Sequence, residues 1–384
     1  PLLATFFKEP RIGPVVKLHS LGFLFTAISI IPSALLTKRM QFKRFAIAHS
    51  LASLIATAVT VLLALKGQAF WALIIGQLSG QLASAVIFMA ATNTWLIPRL
   101  PGKETMSLIS VGSSITTASV LWYFYTKLDV FIAGRLWSST VLGYYSVPVH
   151  LARLPAGKVM PLLRKIAMPS FAQIRENPSA VRYYFRRTFA LGALVSFAVF
   201  FGIASVASSA VPLILGEKWT PSIWLLFAVC LGMPFSGLIG LYSPILQATG
   251  QHQMALSNTT IALLLFSVTF TLGALVGPLG LASAWAVSFP ILFAIVTLRS
   301  APKLNVKPAE VFATIRGPMI AGILMLGVNL ALQYNIPWDW PPVAMLAAQI
   351  VVGITIYFLA LVAVDKKALM SSVQMFRGKR AAAA

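Results

Sequence analysis

Acidic residues are scarce in this chain. Glu9, Glu104, Asp129, Glu176, Glu217, Glu310, Asp339 and Asp365 stand singly, so no carboxylate pair is offered for metal binding or acid–base work. Cysteine is nearly absent: Cys230, set in an apolar segment, permits no intrachain disulfide and no thiol-built metal centre. The four histidines lack ligand spacing, and neither a phosphate-binding glycine loop nor a nucleophile elbow occurs. These gaps remove the usual signatures of an ATPase, a hydrolase or a metalloenzyme. The expectation is a protein that is not an enzyme and uses no cofactor.

Charge is thin as well. Only 10% of the 384 residues are charged, against roughly 25% in soluble domains. What fills the chain is apolar: 58% hydrophobic residues and a mean hydropathy of +0.86. Apolar runs of about 20 residues, the length that crosses the hydrocarbon layer as a helix, recur throughout. The fold class expected is therefore all-α, a polytopic membrane protein. The opening PLLATFFKEPRIG has no basic region ahead of an apolar core and does not read as a cleavable signal peptide.

Eleven membrane helices are expected, at 15–37, 44–66, 69–92, 107–137, 141–170, 188–215, 221–248, 252–276, 279–299, 312–334 and 341–364. With this path, twenty-two of the 30 basic residues fall on one side and five on the other, while Lys127, Arg135 and Arg153 lie within helices. The net charge of +22 thus follows the positive-inside pattern rather than pointing to nucleic acid. The basic side, with the carboxyl terminus, is expected in the cytoplasm, residues 1–14 outside, and a bacterial inner membrane is the setting.

An ungapped internal repeat at an offset of 210 pairs Leu21 and Gly22 with Leu231 and Gly232, Leu36 with Leu246, Gln41 with Gln251, and Gly67 and Ala72 with Gly277 and Ala282. The offset spans six helices, so both copies insert the same way up, related by an axis along the membrane normal. The helices of 107–215 have no partner in the first copy, and the repeat expects roughly 100 further residues, three helices, upstream. Three parts follow: 1–106, the closing half of a first lobe; 107–300, a second lobe of six helices; and 301–384, two accessory helices with a basic tail.

Ionisable groups at membrane depth concentrate between Lys127 and Arg164. Such groups are costly in lipid and face a polar passage or a partner. His150 and Arg153 stand three apart, with Gly157 a further turn along the same face. A small-residue face beside a guanidinium suits a phosphate-bearing headgroup; the competing expectations are that Arg153 pairs with Asp129 or snorkels. Lys158 and Arg135 join the candidate substrate set, although Arg135 also suits the interface and His150 plain packing. Asp129 either neutralises Lys127 or Arg135, or binds a coupling proton or sodium ion. Pro148, Pro155, Pro161 and Pro169 predict kinks in one helix.

The stretch FAQIRENPSAVRYYFRRTF reads as an interfacial loop on anionic lipid. Arg182, Arg186 and Arg187, with Arg39, are candidates for a cytoplasmic mouth that gathers an anionic lipid-linked substrate.

The order FFKEPRIGPVVKLHSLGF, PSALLTKRMQFKRFA, LDVFIAGRLWSSTVLGYYSVPVHLARLP, MPSFAQIRENPSAVRYYFRR and LILGEKWTPSIWLL resembles the polysaccharide transporter (Wzx-type flippase) branch of the multidrug, oligosaccharidyl-lipid and polysaccharide exporter superfamily. The resemblance covers nearly the whole chain and is most specific from Leu128 to Trp224. It implies two six-helix lobes about a central cavity, the first lobe incomplete here, followed by two further helices. It also implies alternating access: a polyprenyl-pyrophosphate-linked oligosaccharide crosses from the cytoplasm for lipopolysaccharide or exopolysaccharide synthesis. A polysaccharide polymerase and chain-length machinery are the implied protein partners. Where many relatives carry a basic residue after a short turn, this chain has Gln251 and His252. The alternatives are export of a peptidoglycan lipid precursor or a drug, and a membrane-embedded glycosyltransferase or polymerase.

Overall fold

A computed structural model of the chain describes residues 5, 12–39, 41–93, 120–121, 123–124, 126–174, 176–335 and 340–381. Among these every regular element is helical. The chain divides into two compact units, 1–110 and 111–384. Nine helices among the described residues are long and apolar enough to cross a membrane.

The first unit contains α1 (Ile12–Lys38), α2 (Phe42–Leu65) and α3 (Ala69–Thr92). At 1.5 Å per residue each exceeds the hydrocarbon thickness of about 30 Å. α3 packs along both other helices. Small residues make that approach possible, since a Cβ at Gly80 would lie 2.7 Å from Ala56 Cβ and one at Gly22 would strike the Gln81 amide oxygen.

The second unit opens with α4 (126–136) and α5 (Ser139–Ile174), followed by α6 (Pro178–Ser205), α7 (Ala207–Leu215) and a 3-10 turn, Glu217–Ser222. It continues through α8 (Ile223–Ala248), α9 (His252–Val276), α10 (Pro278–Ser300), α11 (Pro308–Asn335) and α12 (Pro342–Ala381). α8 is the hub, packed against α5, α6 and α10, while α10 also carries α9. Phe266, Phe270, Trp285 and Phe289 form one aromatic cluster, with ring centroids 4.9–5.7 Å apart. α11 lies on α6 and α12 on α11, so the accessory pair belongs to the second unit. Leu275 and Val276, 73% and 82% exposed, show how much apolar surface the bundle leaves for lipid.

The two repeat copies have matching helices. Shifted by 210, α1, α2 and α3 fall on α8, α9 and α10 to within two residues at each end. In both triplets the third helix packs on the first and the second, which barely touch each other. Gly67 (φ 77°) and Gly277 (φ 120°) make the turn between second and third helices in backbone that favours glycine. Leu36 and Leu246, an aligned pair, are both fully buried.

Two expectations need correction. The segment 188–215 is not one helix, because α6 ends at Ser205 and α7 begins at Ala207. Nor is 171–189 a loop: α5 runs to Ile174 and α6 starts at Pro178. Asn177 caps α6, its side chain accepting from the Ala180 N–H at 3.1 Å, and Pro178 fits the first turn, where no N–H is needed. Of the expected helix at 107–137, residues 107–119, 122 and 125 lie outside the described residues. α5 is not among the nine apolar helices; it carries His150, Arg153, Lys158, Arg164 and Lys165.

Candidate functional site

α4 and α5 are joined by a short turn at Trp137 and Ser138, where α5 begins as Leu142 N–H donates to the Ser138 carbonyl at 2.9 Å. The tight connection folds α5 back along α4 and sets Tyr145 against Asp129. Asp129 is fully buried. Its Oδ2 accepts from the Tyr145 hydroxyl at 3.0 Å and from Arg153 Nη2 at 3.4 Å. The other oxygen, Oδ1, has no partner among the described residues. Leaving a buried charge with its acceptors partly filled is costly, so the carboxylate depends on both α5 residues.

Trp285 of α10 closes the group from the far side. Its Nε1–H donates to the Tyr145 hydroxyl at 2.9 Å, and its ring lies under the Arg153 guanidinium, 4.8 Å from Cζ to centroid. One indole therefore steadies both partners of Asp129. Trp285 itself is fixed where α8 approaches α10 closely, since a Cβ on Gly232 would strike the Trp285 carbonyl. α5 is anchored one residue before Tyr145 by Ser222, whose hydroxyl donates to the Tyr144 carbonyl at 2.8 Å.

Arg153 is the accessible member, its side chain 26% exposed. A guanidinium has five N–H donors, and the contact with Asp129 uses one nitrogen. One turn further along α5, Gly157 is exposed, with nothing among the described residues within 4 Å of where a Cβ would stand. No described atom therefore crowds this position on the face that carries Arg153.

The other candidates do not gather here. His150, Lys127 and Arg135 are exposed and take no part in the hydrogen-bonded group. Asp129 pairs with Arg153, its Oδ2 reaching across to α5, and exposed Lys127 on its own helix is a weaker electrostatic neighbour. Lys158 belongs to α5, and its side chain lies outside the described residues. Arg39 is exposed at the end of α1 in the first unit.

Arg182 and Arg186 reach Glu310 in the first turn of α11. Arg182 forms a fork, Nη2 to Oε1 at 2.6 Å and Nε to Oε2 at 3.3 Å, and Arg186 Nη1 stands 3.4 Å from Oε2. Arg187 donates to the Tyr183 hydroxyl at 2.8 Å and lies over its ring. Arg182 and Arg186 therefore bind α6 to α11 as well as facing outward, while Arg187 bonds within α6.

Sequence reasoning missed Tyr145, Trp285 and Glu310. For Tyr145 a signal existed: Tyr145, Val149 and Arg153 recur every four residues, placing a buried phenol on the arginine's face, and a buried phenol needs a polar partner.

Fold and site together define a class, a polytopic helical membrane protein built like a solved lipid flippase. The structure of the lipid II flippase MurJ in its inward closed conformation matches with a TM-score of 0.75, covering 91% of this chain and 73% of that one. At 16% identity the likeness is one of fold. Residues 1–224 match the polysaccharide biosynthesis protein family, and the chain belongs to it. It is 25% identical to the lipopolysaccharide biosynthesis protein WzxC of Escherichia coli (strain K12) over 68% of this chain, a match that spans only 52% of the relative's length. The teichuronic acid biosynthesis protein TuaB of Bacillus subtilis (strain 168) is 22% identical, with 87% of this chain and 71% of the relative covered. The succinoglycan biosynthesis transport protein ExoT of Rhizobium meliloti (strain 1021) is also 22% identical, with 100% and 78% covered.

Proposed function

We propose that this chain takes part in moving a polyprenyl-pyrophosphate-linked oligosaccharide unit across a bacterial inner membrane, by alternating access, for lipopolysaccharide or exopolysaccharide synthesis. Family membership, relatives named for lipopolysaccharide, teichuronic acid and succinoglycan, and the flippase fold support it. The observation that carries it is Arg153, a partly accessible guanidinium inside a bundle of apolar helices, steadied by Trp285 and Asp129 beside the open position at Gly157.

The physical need is clear. Sugars and a pyrophosphate lose hydration in hydrocarbon, at a cost of several kcal/mol for each unpaired polar group. A basic, hydrogen-bonding passage replaces part of that hydration, and no bond is made or broken. Arg153 grips the phosphate while Asp129 and Trp285 hold the guanidinium in place, and Gly157 leaves room for the headgroup. His150, Lys158 and Arg135 on the same two helices supplement the positive field. Residues 1–106 serve as the closing half of a first lobe, 107–300 as the second lobe and 301–384 as accessory helices, with the carboxyl terminus in the cytoplasm by the bias of basic residues. Arg187, with the Arg182 and Arg186 pair, lies at the cytoplasmic end of the second unit, where anionic lipids also gather.

The test is depletion of the complete gene in its host. Finished lipid-linked units accumulating on the cytoplasmic leaflet, with loss of surface polymer, is the expected result. Units that disappear, or that remain short of a sugar, assign the protein to assembly chemistry instead and overturn the proposal.

A further inference from the structure

The accessory helices meet the second unit at a polar place. α6 ends at Ser205 and α7 begins at Ala207, and Val206 between them leaves helical backbone (φ −108°, ψ 6°). A break in a membrane helix frees carbonyls that lipid cannot satisfy. Gln333 of α11 spans it: Nε2 donates to the Ser205 carbonyl at 2.7 Å, and Oε1 accepts from the Ser208 hydroxyl at 2.7 Å. One turn back along α11, Asn329 Nδ2 donates to Ser205 Oγ at 3.0 Å and to the Gln349 carbonyl of α12 at 3.3 Å.

Three side-chain atoms are left over. Asn329 Oδ1 and both Oε1 and Nε2 of Gln349 have no partner among the described residues, although the two residues are only 1% and 2% exposed. An unmet buried polar atom costs about 1–3 kcal/mol, and more in a bilayer, where no bulk water competes. Two acceptors and one amide donor call for a small occupant that both donates and accepts. The side chains in these bonds are all neutral, so an ion would find no counter-charge, and the near-complete burial excludes a sugar.

We propose that α11 and α12 are fastened to the second unit through a buried water site formed by Asn329 and Gln349 beside the Gln333 bridge. Water bound to two to four polar partners is a normal structural component. Met325 supplies an apolar wall: a Cβ on Gly353 would lie 2.9 Å from Asn329 Nδ2 and 3.6 Å from Met325 Sδ, so sulfur and amide border the same spot.

The experiment is brief X-ray radiolysis of the purified complete protein, which makes hydroxyl radicals from bound water, followed by mass spectrometry. Met325 is 3% exposed and Met233, in the apolar core, 2%. Burial alone thus predicts equal protection. Met325 should convert to sulfoxide several-fold faster than Met233, and the difference should vanish in the Asn329→Leu/Gln349→Leu variant. Equal protection of the two methionines overturns the proposal, and so does a Met325 reaction that survives in the double variant. Should that variant fail to fold, the comparison within the unaltered protein decides alone.

Discussion

Trp285 donates its indole N–H to the Tyr145 hydroxyl at 2.9 Å, linking α10 to α5 across 140 positions of sequence. The phenol can then give its own proton only to Asp129, so a single hydrogen-bond direction runs from indole to carboxylate. Tyr145→Phe removes an acceptor and a donor together, leaving Trp285 and Asp129 each short of a partner. A loss of about 1–3 kcal/mol is expected. Trp285→Phe should cost a comparable amount, and the double substitution less than the sum, with a coupling of about 0.5–3 kcal/mol. Thermal unfolding of the four proteins in detergent measures it; strict additivity would show that the two residues do not act through one another.

Arg153 and Asp129 pose a question that single substitutions cannot answer. Arg153→Ala strands a buried carboxylate and lowers stability by about 2–3 kcal/mol, below the about 3–5 kcal/mol of a wholly buried pair because the arginine is partly solvated. Lost transport would then be ambiguous. In Arg153→Ala/Asp129→Asn the stranded charge is gone, and expression and unfolding temperature should recover while lipid-linked units still accumulate inside. Recovery of transport in the double variant would reduce Arg153 to a structural role.

Glu310 receives two arginines, yet their side chains are 47% and 52% exposed. Exposed pairs contribute little, so Glu310→Gln should change stability by no more than about 1 kcal/mol. It does free Arg182 and Arg186. Binding of the variant to vesicles containing anionic lipid, measured by co-flotation in nanodisc competition, should rise and should weaken with salt. Unchanged binding would mean that these arginines act only as a fastening between α6 and α11.

Helix positions were legible because lipid imposes length and apolarity on each crossing, and the expected 69–92 and 252–276 agree with α3 and α9 to within a residue. The start of α6 is written in Asn177 and Pro178, but the run of arginines and tyrosines after it has the composition of an interfacial loop. The break at Val206 was not legible, since the small residues around it, Ser205, Ala207, Ser208 and Ser209, also suit a helix interior and only Gln333, more than a hundred positions away, satisfies the freed carbonyl. Within the site, Asp129 and Arg153 stood out because charge is rare here. Trp285 did not: a tryptophan among apolar residues looks like any core residue until its N–H is seen to find Tyr145.

Gly157 separates open space from mere sequence economy. In a helix interior Gly→Ala favours folding by about 0.5–1 kcal/mol when the methyl meets nothing, and no described atom lies within 4 Å of that position. Gly157→Ala should therefore be neutral or slightly stabilising. Gly157→Trp keeps the helix and has room to be tolerated, but its ring would occupy the space beside Arg153 that a phosphate-bearing headgroup needs. Transport should fall steeply while the unfolding temperature holds. A tryptophan variant that folds normally and still clears lipid-linked units from the cytoplasmic leaflet would place the substrate's path elsewhere and leave Arg153 facing lipid or solvent alone.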